Sequence, residues 1–177
     1  MVLTSLSVIV ASAGRPSLRE TLESVGHQLR PGDELVVDVN DDSPHGHKAR
    51  NRRLEEARGD AVLFMDDDDY YVAGALDAVR EGYAQAPGRL HIFRMLYIEN
   101  DFVLWEDADL RPGNVSTQMI CAPGDAGSVG RFGDRYEGDY DFCAHTCSLL
   151  GPPVWHDDVI ALVHHPLMRG VRHRPAA

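Results

Sequence analysis

The sequence is short of cysteine, of long apolar runs and of positive charge, and each shortage argues against a class of protein. Its three cysteines, Cys121, Cys143 and Cys147, are an odd and sparse set in 177 residues, which argues against a disulfide framework and favours a reducing compartment. No apolar run approaches the ~20 residues that cross a bilayer. We therefore expect a cytoplasmic protein that works without a membrane.

Two local patterns imitate targeting and metal-binding motifs. The apolar stretch Val8-Ile9-Val10 has no basic segment in front of it, which indicates a first core strand rather than a signal peptide. Cys143, His145 and Cys147 do not have the ligand spacing of common structural zinc sites. Buried thiols are expected there instead.

Acidic residues outnumber basic ones, 28 to 17, for a formal net charge of -11. This balance disfavours general adhesion to nucleic acid or to an anionic membrane. Arg50, Arg52 and Arg53, together with an arginine-rich tail at 169–174, leave a local nucleic-acid contact open. The length fits one domain, 1–177, and nothing in the composition indicates an oligomeric state.

Strand and helix patterns alternate over the first half of the chain. Three predicted strands lie at 6–10, 34–39 and 61–65, and three predicted helices begin near 17, 48 and 73, the second running to Arg58. This order predicts an α/β fold with a mostly parallel sheet and helices on its faces.

The second half, beyond a boundary near residue 88, changes character and predicts a smaller mixed-strand half, 89–177. Its predicted elements are a hairpin at 90–98 and 102–105, a strand at 115–121, a glycine-rich loop at 124–138, a helix at 139–150 and a strand at 154–164. A loop of this length inside a compact domain is often functional.

Four consecutive aspartates, Asp66 to Asp69, follow the apolar run 61–65. Their charges repel one another, and a divalent cation that prefers carboxylate oxygens would neutralise them. Open α/β sheets also bind ligands beyond the carboxyl ends of their strands. The junction predicts a metal-plus-phosphate site, with a solvated acidic turn that caps the next helix as the alternative.

A site built on two aspartates often takes a further ligand from elsewhere in the chain. His164 and His165 follow the last predicted strand, and His156 lies near its start. Histidine is a common metal ligand, so His164 or His165 is our candidate, with His156 as a further possibility. Each could equally be an ordinary surface or core histidine.

Several segments, in this order and spacing, resemble the nucleotide-binding half of the family 2 glycosyltransferases of GT-A fold. They are Ser7-Val8-Ile9-Val10 with Arg15-Pro16, Thr21-Leu22-Glu23-Ser24-Val25 with Gln28, Glu34-Leu35-Val36-Val37-Asp38, Ala49-Arg50-Asn51, Ala57-Arg58-Gly59-Asp60 and Phe64-Met65 with the four aspartates. The resemblance covers residues 5 to 80 densely. Beyond them it is limited to Gly138-Asp139-Tyr140-Asp141-Phe142, where glycine stands in place of the family's glutamate.

The resemblance implies roles for individual residues. Asp66 and Asp68 form the Asp-X-Asp motif: Asp68 is expected to ligate Mn²⁺ or Mg²⁺, and Asp66 to reach the metal or the ribose. Asp67 and Asp69 would support them. Asp139 is expected to be the catalytic base, since an inverting displacement needs one near the acceptor hydroxyl.

The donor is expected to bind along the ends of the first strands. The implied donor-binding residues are Ala11, Ala13, Arg15, Asp38, Asp41, Arg50, Asp66 and Asp67. An aspartate after the second strand would read the nucleobase or ribose, and Asp38, Asp41 and Asp42 are all candidates. Arg50 could balance the acidic cluster and contact phosphate, or lie on a solvated helix face beside Arg52 and Arg53.

The sequence therefore predicts a metal-dependent, inverting glycosyltransferase that moves a sugar from a nucleotide-diphospho donor, expected to be a UDP-sugar, to a soluble hydroxyl acceptor. Two alternatives stay open: a nucleotidyltransferase that makes the sugar nucleotide, and a non-catalytic sugar- or partner-binding domain. A nucleotidyltransferase would want a glycine-rich, basic loop after the first strand, and Ser12-Ala13-Gly14-Arg15-Pro16 is thin for that.

Overall fold

Three apolar strands that alternate with helices form one half of a central sheet in the computed structural model, which describes residues 4–39 and 45–164. Strands β1 (Leu6–Ala11), β2 (Glu34–Asp38) and β3 (Ala61–Asp66) are parallel, with β1 in the middle. All six residues of β1 and the first five of β3 are buried, as expected for strands covered on both faces.

The second half of the chain completes the same sheet. The sheet's remaining strands are β4 (Asp69–Tyr71), a short strand that directly follows β3, and four strands of the second half. These four are β5 (His91–Tyr97), β6 (Phe102–Leu104), β7 (Ile120–Pro123) and β8 (Val154–Val163). The strand order is β2-β1-β3-β7-β5-β8-β4, with β6 paired to β5. β7 runs antiparallel between β3 and β5, whereas β5 and β8 are parallel, so parallel pairing occurs within each half and the join between the halves is antiparallel.

Four helices accompany the strands: α1 (Leu18–Gly26), α2 (His47–Leu54), α3 (Ala75–Gln85) and α4 (Gly138–Leu150). A short 3₁₀ turn, Thr117–Met119, leads into β7. In the part of the chain that the structure describes, no helix is both long and apolar enough to cross a membrane. Cys121 and Cys143 are buried free thiols and Cys147 is half-buried.

The expected α/β architecture is confirmed, and some element boundaries are corrected. α2 ends at Leu54 rather than at Arg58, the strand predicted from Val115 is confined to β7, and β4 was not predicted. The hairpin of β5 and β6 was predicted correctly.

The register of the first three strands places the site. Ala11 lies opposite both Asp38 and Asp66, the last residues of their strands. Because the carboxyl ends of parallel strands meet at one edge, these residues form a row there. Asp66, the β3 residue of this row, is the first of the four aspartates.

Candidate active site

The four consecutive aspartates point to different partners because the chain turns sharply between β3 and β4. Asp66 ends β3, Asp67 and Asp68 form the turn, and Asp69 begins β4. Asp67 and Asp69 are buried, while Asp66 and Asp68 are partly exposed. A single acidic run in the sequence therefore has four different environments.

Asp67 ties the turn to the loop that follows β1. Its carboxylate accepts hydrogen bonds from the Ser12 hydroxyl at 2.7 Å and from the Ala13 backbone N–H at 2.9 Å. The Arg15 guanidinium also donates to it at 3.0 Å. With its lone pairs used in this way, Asp67 holds the post-β1 loop against the acidic turn.

The other three aspartates form a compact acidic group. One carboxylate oxygen from each of Asp66, Asp68 and Asp69 lies within 4.8 Å of the others. Arg15, about half exposed, donates to Asp68 at 2.6 Å and links Asp68 to Asp67. The site is therefore a set of hard oxygen donors partly neutralised by arginine, and its donor chemistry fits Mg²⁺ or Mn²⁺.

Arg50 is buried beneath this group. It therefore does not lie on a solvated helix face, which was one of the two positions considered from the sequence. Its guanidinium donates to the Asp66 carboxylate and, at 2.6 Å, to the His45 carbonyl. It also lies 5.6 Å from the centre of the Phe132 ring. Arg50 thus contacts the protein's own acidic group, and this contact fixes α2 against the end of β3.

Gln118, which was not among the predicted site residues, joins two of the aspartates. Its side-chain amide donates to the carboxylates of Asp66, at 2.9 Å, and Asp69. Its carbonyl oxygen accepts from the Ser116 hydroxyl at 2.9 Å. No sequence signal marks Gln118, because it lies in the 3₁₀ turn, about fifty residues further along the chain.

Asp69 has the most perturbed carboxyl of the group. Burial, followed by the charge of Asp68, raises its pKa to about 7, against the lowering effect of hydrogen bonds from the His164 N–H and Gln118. Desolvation disfavours the charged carboxylate, and a cation bound at this position would favour it.

Asp139 lies at the start of α4 and is half-buried. Burial raises its pKa to about 6, opposed by the Tyr140 N–H that donates to it and by the positive charge of Arg50. The charges of Asp69 and Asp139 both contribute to the raised pKa of Tyr97. These shared electrostatic neighbours place Asp139 and the acidic group at the same edge of the sheet.

The histidines predicted as ligands lie in different places. The backbone N–H of His164 donates to Asp69 at 3.1 Å, and its exposed ring packs edge-on against Tyr70. His165 lies outside the described residues. His156 is buried against His91, with their ring nitrogens 2.8 Å apart, near the start of β8 and about 25 Å from His164 at the strand rise per residue. This location removes His156 as a candidate ligand.

The predicted nucleobase readers are only partly described. Asp38 is buried, and its carboxylate accepts from Arg52 at 3.2 Å and Arg53 at 3.1 Å. Its side chain therefore makes two ion pairs within the protein. Asp41 and Asp42 lie outside the described residues.

Comparison with known proteins gives fold-level matches only. No protein-family model and no curated protein matches the chain. Residues 1–349 of S. aureus TarS superpose with a TM-score of 0.67 at 13% identity, covering 91% of this chain and 60% of that one. The same fragment solved with UDP-GlcNAc gives 0.66 at 14% identity, covering 92% of this chain and 58% of that one.

A second enzyme has a similar shape. The mannosyltransferase PcManGT from Pyrobaculum calidifontis, solved with GDP-Man and Mn²⁺, gives a TM-score of 0.60 at 13% identity, covering 94% of this chain and 58% of that one. The chain thus spans about 60% of the length of these structures. The likeness shows a GT-A-type glycosyltransferase fold.

Proposed function

We propose that the protein is a metal-dependent glycosyltransferase that transfers a sugar from a nucleotide-diphospho donor, with inversion, to a soluble hydroxyl acceptor. The observation that carries the proposal is the group formed by Asp66, Asp68 and Asp69 at the end of β3 in a GT-A-type fold. Solved structures of similar shape hold UDP-GlcNAc or GDP-Man with Mn²⁺. A UDP-sugar is the donor that we would test first.

Asp68 and Asp66 are the proposed metal ligands, with His164 as the additional candidate. Asp66 and Asp68 are the partly exposed carboxylates of the group, whereas Asp69 is buried. The backbone of His164 donates a hydrogen bond to Asp69, so this histidine lies beside the group. A bound Mg²⁺ or Mn²⁺ would neutralise charge on the departing diphosphate. The residues fit that ion because they offer carboxylate oxygens at short mutual range.

Arg15 is proposed to contact the diphosphate once a cation has taken its place beside Asp68. It is about half exposed and donates to Asp68 at 2.6 Å. A guanidinium is suited to phosphate oxygens because of its planar set of donors. Asp67 would serve the donor indirectly, by holding Ala13 and the rest of the post-β1 loop in place.

Asp139 is the proposed general base. A base acts best when its pKa is near the working pH, and burial has moved the pKa of Asp139 up to about 6. It would accept the proton of the acceptor hydroxyl as that oxygen attacks the anomeric carbon and the nucleoside diphosphate leaves.

The nucleotidyltransferase alternative has less support. The backbone N–H groups after β1 would be needed to hold phosphates in such an enzyme. Here the Ala13 N–H and the Ser12 hydroxyl donate to Asp67, which places a carboxylate where a phosphate would have to approach.

The test is a donor screen by thermal shift with and without Mn²⁺, followed by detection of transfer or hydrolysis products. A ligand present at about 100 times its Kd adds roughly 2.7 kcal/mol to the free energy of unfolding, which is about 5–10 °C in Tm for a domain of this size. We expect a UDP-sugar to produce such a shift with Mn²⁺ and a much smaller one without it.

Asp68→Asn supplies the sharper comparison. The variant should lose the Mn²⁺-dependent part of the shift and keep its fold, because removing one charge reduces repulsion in the acidic group. Asp158→Asn, on the exposed face of β8, is the matched control and should behave like the parent. Equal Mn²⁺-dependent donor binding in Asp68→Asn and the parent would refute the metal assignment.

A further inference from the structure

Gln118 is a buried polar residue whose hydrogen bonds go to the acidic group and to Ser116. Its side chain is 3% exposed, and its amide nitrogen donates to Asp66 and Asp69, which belong to different strands. Ser116 and Gln118 flank Thr117 in the 3₁₀ turn before β7. A single amide from the second half of the chain thus joins the two ends of the acidic turn.

The orientation of this amide is determined by its surroundings. The Ser116 hydroxyl donates to the carbonyl oxygen at 2.9 Å, which directs both N–H bonds of the amide toward carboxylates. The opposite orientation would leave the Ser116 contact without a carbonyl acceptor and place the amide oxygen against the carboxyl oxygens of Asp66 and Asp69, an unfavourable arrangement in a buried site.

Each of the two aspartates is held from a second direction as well. Asp66 accepts from Arg50 through its other oxygen, and Asp69 accepts from the His164 backbone N–H at 3.1 Å. The amide supplies the remaining contact, so that neither carboxylate can rotate away from the other without breaking a buried hydrogen bond.

We propose that Gln118 is a positioning residue for the cation site, holding the proposed ligand Asp66 in place against its supporting neighbour Asp69 before the cation arrives. This role rests on the proposed function, since it supposes that the acidic group binds a divalent ion. Groups that hydrogen-bond to metal ligands commonly affect metal affinity about 10- to 100-fold when they are removed.

Gln118→Met tests the role, because methionine has nearly the same length and no N–H donor. Gln28→Met is the matched control: the Gln28 amide donates to the carbonyls of Ser24 and Val72 at 2.8 and 3.0 Å and accepts from the Leu76 N–H. Both variants lose a side chain with three hydrogen bonds, but only Gln118 touches the acidic group. Binding of Mn²⁺ alone, and of Mn²⁺ with UDP, is measured from the paramagnetic resonance signal of the free ion.

We expect Gln118→Met to bind Mn²⁺ about 10- to 100-fold more weakly than the parent. Gln28→Met should have a lower Tm than the parent but the same Mn²⁺ affinity. Ser116→Ala keeps Gln118 but removes the hydroxyl that orients its amide. A smaller loss of Mn²⁺ affinity, roughly twofold to tenfold, is therefore expected. This variant also tests the role should Gln118→Met fail to fold.

Unchanged or tighter Mn²⁺ binding in folded Gln118→Met, or in Ser116→Ala when Gln118→Met does not fold, would overturn the positioning role and leave the proposed function standing. A weaker affinity in Gln28→Met equal to that in Gln118→Met would also overturn it, because the effect would then be general. A parent protein that binds no Mn²⁺, with or without UDP, would overturn the proposed function itself.

Discussion

Asp139 is the residue on which the catalytic step of the proposed function depends. Asp139→Asn keeps the size of the side chain and its ability to accept the Tyr140 N–H, but it cannot take a proton. We expect transfer to slow by roughly a hundredfold or more, with donor affinity and Tm nearly unchanged. Single-turnover measurements at saturating donor would separate the two effects.

The pH dependence of the parent follows from the same residue. A base must be deprotonated to act, and the pKa of Asp139 is raised to about 6, so activity should fall as the pH drops through 6. Asp141→Asn is the control, since Asp141 is paired with Arg135 through two hydrogen bonds, of 2.8 and 2.5 Å. A rate loss in Asp141→Asn but not in Asp139→Asn would show that Asp139 is not the base.

At the scale of single residues, the sequence located the acidic group and selected Arg50, but it did not reveal the burial of Arg50 or the contacts of Gln118. Four adjacent charges after an apolar run are a local signal, and the structure brings three of them together. The burial of Arg50 and the contacts of Gln118 depend on where α2 and the 3₁₀ turn meet β3. Those contacts span 16 and 52 residues of sequence, and no local pattern encodes them.

At the scale of elements, the junction of α2 and α4 explains the glycine that stands where the resembling family has glutamate. A Cβ at Gly138 would lie 2.6 Å from the His47 ring and 2.5 Å from the Gly133 carbonyl oxygen. The start of α4 is therefore packed directly against the start of α2, and no side chain fits between them.

Gly138→Ala should for that reason push α4 away from α2 and displace Asp139. We expect a fall in Tm of several degrees, as overpacking by one methyl commonly costs about 1–3 kcal/mol, together with a loss of transfer rate. Gly127→Ala is the matched control, because its Cβ would meet only the Asp125 carboxylate at an ordinary 3.4 Å. Circular dichroism melts of both variants would check the prediction, and equal Tm values would contradict it.

Element types were more predictable than element ends. β1 and β3 were clear because they are short apolar runs buried on both faces, and α3 was clear because it buries one apolar face. β4 was missed because its three residues begin inside the acidic run, where charge hides the strand pattern. The antiparallel placement of β7 between β3 and β5 depends on pairing across the sheet, which alternation along the chain does not reveal.

At the scale of the whole molecule, the buried pair of His91 and His156 should make the fold sensitive to acid. Burial lowers the pKa of His91 to about 4 and also lowers the pKa of His156. The unfolded chain, in which histidine has its ordinary pKa near 6.5, then binds more protons than the folded one at intermediate pH. The stability from this pair is present above about pH 6.5 and is lost as the pH falls toward 4.

Between pH 8 and pH 5, His91 should account for roughly 2 kcal/mol of lost unfolding free energy. His91→Gln is expected to be less stable than the parent at pH 8 and to lose less on going to pH 5. Urea unfolding at the two pH values measures this difference, with His145→Gln, at an exposed position, as the control. A parallel loss in His91→Gln and the parent would show that the acid sensitivity comes from other groups.

The strand order also bears on how the sheet avoids joining other sheets. In the described part of the chain the strands paired on one side only are β2, which ends in Asp38, and the three-residue strands β4 and β6. The apolar β3 lies inside, between β1 and β7. Short or charged margins are poor templates for another strand. Removing the second half would take β7 away and turn Ala61–Met65, five buried residues without a charge, into an open edge of the kind that aggregates. The first half of the chain therefore needs the second half not only to complete the sheet but also to keep β3 from pairing with other molecules as it folds.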